Sequence, residues 1–205
     1  MSVFGFSPHD RVAAFIDGPS LHNAAVSGDF SLDFKNLNTL LSREGRLIRA
    51  YYYTAVADTE DFSPVKPLVD WLGYNGYTVV TKPLKEHVDA EGRKRVKGNM
   101  NVEMAINALE LADKVDHMVF FTGDGQLVPL IEAVQRRGVR VTIISSNGPE
   151  RMISDELRRQ TDNFIDVNNL TEIHRTNHRP SGGVERTVGR GVSVERRPLT
   201  RRPTA

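Results

Sequence analysis

The chain has 205 residues, 26% of them charged, a formal net charge of +1 and no cysteine. Lack of cysteine excludes a disulfide framework, thiolate metal sites and thiol catalysis together, and suits a reducing cytoplasm. Apolar runs of five or six residues fall far short of the ~20 that a membrane helix needs, and the N-terminus MSVFGFSPHDR lacks the basic-then-apolar order of a secretory leader.

Taken in chain order, the residues predict alternating strands and helices. Arg11–Asp17 (RVAAFID) is a short apolar run stopped by Gly18-Pro19, as a buried strand would be. Leu32–Ser42 carries apolar residues at 34, 37, 40 and 41, a helical spacing. Leu47–Thr54 (LIRAYYYT) reads as a strand, its tyrosines alternating between core and surface. Pro64 opens a helix that closes near Gly73–Gly76, and Tyr77–Thr81 is a further strand. Lys85–Gly98 (KEHVDAEGRKRVKG) is a charged, turn-rich, hairpin-like excursion. Asn99–Ala112 has a helical stripe at 102, 105, 106, 109 and 112. Then follow strand His117–Phe121, helix Leu127–Gln135, strand Val139–Ile144, helix Arg151–Gln160 and strand Phe164–Val167.

Six strands separated mostly by helices imply an α/β fold, with right-handed crossovers and a parallel sheet covered on both faces. An N-terminal extension (1–10) precedes this domain (11–170), and a tail (171–205) follows it. Residues 1–170 carry a net charge of −4 and the tail +5, with eight arginines and no lysine. The tail has too few large apolar side chains to offset its ordering entropy, so disorder is expected there. An acidic body with an arginine tail points to a polyanionic partner.

Ligands of such sheets sit beyond the carboxyl ends of the strands. Two strands end in an aspartate beside glycine there, at Asp17-Gly18 and at Gly123-Asp124-Gly125. Each aspartate has two readings: a cap for the following helix, or one ligand of a hard dication such as Mg²⁺. The six histidines show no HxH spacing, and no GxSxG or Walker A pattern occurs. Arg93, Lys94, Arg95 and Lys97 form the body's one basic run, which is either a solvated hairpin face or a phosphate contact.

FIDGPSLH, KGNMNVEMAINALELA, FFTGDGQLVPLIEAVQRRGVRVTIIS and SDELRRQTDNFIDV, in that order, resemble the NYN domain, specifically its bacterial LabA-like branch. The resemblance covers about Arg11 to Leu170. It implies a PIN-like three-layer sandwich whose acidic cluster binds Mg²⁺ or Mn²⁺ and hydrolyses RNA phosphodiesters. Asp17 and Asp124 match family acids and would hold the metal. The remaining positions depart from the pattern: Ser20 stands for an Asn, Asn101 for an Asp, Gln126 for an Asp and Asn107 for a further Asp.

By resemblance, Asp17, Asp124, Asn101 and Gln126 form the catalytic set; Ser20, together with Arg95 and Lys97 of the basic run, is expected to contact substrate. Amides keep a carbonyl oxygen but lose the charge on which dication affinity depends. Two functions follow as expectations. One is a cytoplasmic metal-dependent ribonuclease with a weakened site. The other is a pseudo-nuclease that binds RNA, a second copy or a protein partner without cleavage.

Overall fold

The computed structural model describes residues 3–56, 65–88, 94–97, 99–147 and 153–175, with backbone alone for 85–88 and 94–97. Its elements in chain order are β1 (Arg11–Asp17), α1 (Gly18–Ser27), β2 (Ser31–Leu32), α2 (Phe34–Glu44), β3 (Arg46–Val56) and α3 (Lys66–Tyr74). They continue with β4 (Thr78–Pro83), β5 (Lys85–Val88), β6 (Lys94–Lys97), α4 (Asn101–Leu111), β7 (His117–Phe121) and α5 (Val128–Gln135). The last are β8 (Arg140–Ser145), α6 (Asp155–Gln160), β9 (Asn163–Asp166) and β10 (His174–Arg175). No helix among the described residues is long and apolar enough to cross a membrane.

Six strands form one parallel sheet in the order β4-β3-β1-β7-β8-β9. Side chains alternate across a strand, so β1 feeds two cores. Val12, Ala14 and Ile16 pack with Leu21 of α1, Leu37 and Leu41 of α2 and Leu72 of α3. Ala13 and Phe15 pack on the other face with Met104 of α4, Ile131 and Val134 of α5 and Leu157 of α6. Each fully buried large side chain contributes roughly 1.5–3 kcal/mol. Three layers result, as the α/β alternation requires.

Sequence and structure differ at several places. Gly18-Pro19 does stop β1, but α1 starts at once, with Asp17 as its cap and proline in its first turn, a place where proline costs no hydrogen bond. Asp33 caps α2 by accepting from the Asn36 N–H at 3.0 Å, so that helix begins at Phe34 and leaves Leu32 in β2. α6 is shorter than expected because Ser154 caps it. Tyr51 stacks on Phe15 and Tyr53 on Tyr51 in one core, and Tyr52 is buried in the other. No ring of the three is left to the surface, since helices cover both faces of β3.

The excursion does form a hairpin, β5 pairing antiparallel with β6. Pro64, the expected start of α3, lies outside the described residues, as do residues 176–205. Residues 171–175, expected as the start of the tail, instead belong to the ordered body: Ile173 is fully buried and β10 pairs with β2.

At the amino edge of the sheet, Asp116 accepts from the Arg11 backbone N–H and from its guanidinium at 2.7–3.0 Å, tying the start of β1 to β7. His117 beside it is 1% exposed. Thr142 Oγ1 donates to the Phe4 carbonyl at 3.2 Å, so the 2.8 Å approach to His117 Nε2 requires the imidazole to donate there. Nδ1 is then a buried acceptor without a partner among the described residues. Burial, reinforced by Arg140, pulls this histidine down from 6.5 to about 4.

The unfolded chain therefore binds the extra proton first. Stability present at pH 7 is lost as pH falls from 6.5 toward 4, by about 2 kcal/mol at pH 5. Denaturant melts at pH 7 and pH 5 should show this loss, and His117→Leu should flatten it.

Candidate functional site

The chain runs outward from β1 to β3 and β4, then crosses back to lay β7 on the other side of β1. Strand order reverses there, so the carboxyl ends of β1 and β7 splay apart and leave a crevice. Asp17 is the last residue of β1, and Asp124 follows β7 by three residues. Both line one cleft of about 380 Å³ with Pro19, Leu84, Asn99 and Asn101.

Each acid caps a turn. Asp17 accepts from the Ser20 hydroxyl at 2.6 Å and the Ser20 N–H at 3.4 Å, one on each oxygen. Asp124 Oδ1 accepts from the Gln126 N–H at 2.9 Å. Burial pushes the Asp17 carboxyl up from its ordinary range; the Ser20 bonds oppose this, and the charge of Asp124 adds to it.

Glycine is needed at both turns. A Cβ on Gly18 would lie 2.6 Å from the Tyr52 hydroxyl oxygen and 2.8 Å from the Tyr53 carbonyl oxygen. One on Gly125 would lie 2.6 Å from Ser154 Oγ, where the Ser154 N–H donates to the Gly123 carbonyl at 2.9 Å.

The first residue of α4 completes the cluster. Asn101 Nδ2 donates to Asp124 Oδ2 at 2.7 Å and to Gln126 Oε1 at 3.4 Å. An ionised carboxylate only accepts, so the amide must present its nitrogen there. Asn99, absent from the expected set, holds the pair. Its Nδ2 donates to Gln126 Oε1 at 3.2 Å, and its Oδ1 accepts from the Asn101 N–H at 2.6 Å. The signal for Asn99 is its type and place, an asparagine just ahead of a helix.

Asp17, Asn101, Asp124 and Gln126 thus meet at one edge of the sheet. Ser20 reaches this group only through Asp17. Arg95 and Lys97 lie on β6, with side chains outside the described residues. Other acids do not join. Glu103 pairs with Lys82 at 3.1 Å, and Asn107 donates to the Tyr53 hydroxyl at 3.1 Å. Asp162 accepts from the Val141 N–H at the opposite edge. Asp155 opens α6 beside the Gly-Asp-Gly turn, yet among the described residues no three acids or histidines converge as a metal site would require.

A model of the NYN domain matches residues 11–170. The chain belongs to the NYN domain family. That family lies within the PIN-like nucleases, which typically use divalent metals. This NYN domain is 33% identical over 182 residues to the low amplitude and bright protein LabA of Synechococcus elongatus, covering 87% of this chain and 95% of that protein. It is therefore LabA-like. Among solved structures, a protein of unknown function from Vibrio parahaemolyticus shares the fold, with a TM-score of 0.66 at 20% identity, over 83% of this chain and 99% of the other.

The donor set of this NYN domain does not fit the dication its family implies. Two carboxylates remain, and all four of their oxygens already accept from Ser20, Asn101 or Gln126. The Asn101 N–H group occupies an Asp124 oxygen that a cation would take.

Proposed function

We propose that this NYN domain binds single-stranded RNA along the carboxyl edge of its sheet and does not hydrolyse it. The observation that carries this reading is the 2.7 Å donation from Asn101 Nδ2 into Asp124 Oδ2. Phosphodiester hydrolysis on a carboxylate–metal centre needs the dication to offset developing anionic charge and to activate water. An amide donor in place of an acid supports the opposite arrangement, in which the Asp124 carboxylate is satisfied by hydrogen bonds within the chain.

The same replacements favour binding. Loss of carboxylate charge at positions 101 and 126 lowers the repulsion a phosphate backbone meets on entering the cleft. Asn and Gln side chains donate and accept, so they serve base edges and phosphate oxygens alike. The seven arginines beyond Arg175 add sequence-independent attraction.

The test is labelled single-stranded RNA with Mn²⁺, followed by anisotropy and by gel. Saturable binding without cleavage is expected. Cleavage abolished by Asp124→Asn overturns the proposal. Truncation after Arg175, which spares buried Ile173, should weaken binding and flatten its salt dependence. The slope of log affinity against log salt should fall by about 0.7 for each phosphate that an arginine no longer neutralises.

A further inference from the structure

A second hollow, of about 600 Å³, is lined by Gly18, whose chain neighbours Asp17 and Pro19 line the Asp17–Asp124 cleft. It lies on the face covered by α1 and α3. Phe30, Tyr52 and Trp71 supply aromatic wall, while His22 and Arg175 also line it. Pockets of 300–1,000 Å³ lined by rings with a few polar groups suit small planar ligands.

Two further observations say what kind. Tyr52 is 4% exposed, and its hydroxyl makes no hydrogen bond to any described residue while it is not sealed from the hollow it lines. A hydroxyl left this way in the wall of a hollow selects a ligand that can donate or accept. The guanidinium of Arg175 is held by Asp33 at 3.3 Å, while its side chain stays 61% exposed. Among the described residues only its Nε is paired, which leaves the terminal nitrogens to a phosphate beside an aromatic hollow, as a nucleotide's phosphate and base require together.

We infer that this hollow is a base-binding subsite. It takes one nucleobase, splayed from a single RNA strand whose backbone crosses the Asp17–Asp124 cleft. The base stacks against Trp71 and meets the Tyr52 hydroxyl with its polar edge, while Arg175 faces the adjoining phosphate. Unstacked bases of single strands are bound in this manner, on aromatic faces and through their edges. The inference rests on the RNA-binding reading above and adds where one base goes.

Trp71 is the chain's single tryptophan, so its emission reports on the hollow directly. Titration of the full chain with a short oligoribonucleotide should quench Trp71 saturably. The same backbone made abasic should bind without quenching. By anisotropy, Trp71→Leu should weaken RNA binding about tenfold. Tyr52→Phe, which removes only the hydroxyl and keeps the core filled, should weaken it several-fold.

The failures separate. RNA bound with unchanged emission, and with unchanged affinity in both variants, overturns the subsite and leaves RNA binding standing. No binding of RNA by the native chain overturns both. Quenching by free adenosine or uridine monophosphate but not by RNA means that the base comes from a free nucleotide, which overturns the strand path.

Discussion

Restoring two acids, Asn101→Asp with Gln126→Asp, is expected to destabilise the metal-free chain and to make it respond to Mg²⁺. The native hydrogen bond from Asn101 to Asp124 becomes an apposition of carboxylates, and Asp17 already lies within electrostatic reach of Asp124. Like charges crowded in a half-buried cleft raise one another's pKa and oppose folding at neutral pH. The cost is about 2 kcal/mol, or roughly 5 °C in melting temperature for a body of this size.

The sign with pH follows. A carboxyl whose folded pKa is raised above its unfolded value stabilises below that range and loses the benefit as pH rises through it. The deficit of the double variant should therefore shrink toward pH 5. Mg²⁺ at a hundredfold excess over its dissociation constant would return about 2.7 kcal/mol. Thermal melts with and without Mg²⁺ read both effects. The native chain should shift little, and a large native shift would overturn the account of the donor set.

The other large effect is expected at Gly18. In Gly18→Ala the new methyl meets the Tyr52 ring and, at 2.8 Å, the Tyr53 backbone oxygen. Backbone inside a parallel sheet cannot move aside cheaply, so overpacking should cost about 3 kcal/mol, or roughly 8 °C. Gly73→Ala is the control. Nothing lies within 4 Å of its Cβ position, and alanine in a helix should stabilise by about 0.5–1 kcal/mol. Equal melting temperatures for the two variants would show that the turn after β1 is not close-packed.

These contrasts show where sequence suffices. His117–Phe121 is a run of five residues with no competing pattern, and the strand has those bounds. Helices α2 and α6 start later than the expected bounds at Leu32 and Arg151, where the side chains of Asp33 and Ser154 cap them. Helix α1 is hidden in the sequence because Gly18-Pro19 signals a stop, although proline in a first turn is also a start. Of the cleft, the two aspartates and two amides are legible as strand-end and helix-start residues, whereas Asn99 carries only the weak signal of an asparagine before a helix. Tyr52 is not legible as part of a hollow, since a tyrosine between two tyrosines carries no sign of which face it serves.

Local chemistry by itself settled the α/β alternation, the absence of any thiol chemistry, the family resemblance and the residues at the strand ends. These depend on composition, on periods of 2 and 3.6 residues and on turn-forming types, all of which act over a few positions. Tertiary structure alone decided which strands neighbour one another. It also decided that Asn101 turns its side-chain N–H into Asp124, that Ile173 is core rather than tail, and that an aromatic hollow is lined by Gly18, the residue next to the cleft's Asp17. Each of these joins residues far apart in the chain. A hydrogen bond of 2.7 Å, or a clash at 2.8 Å, depends on positions that no local pattern encodes.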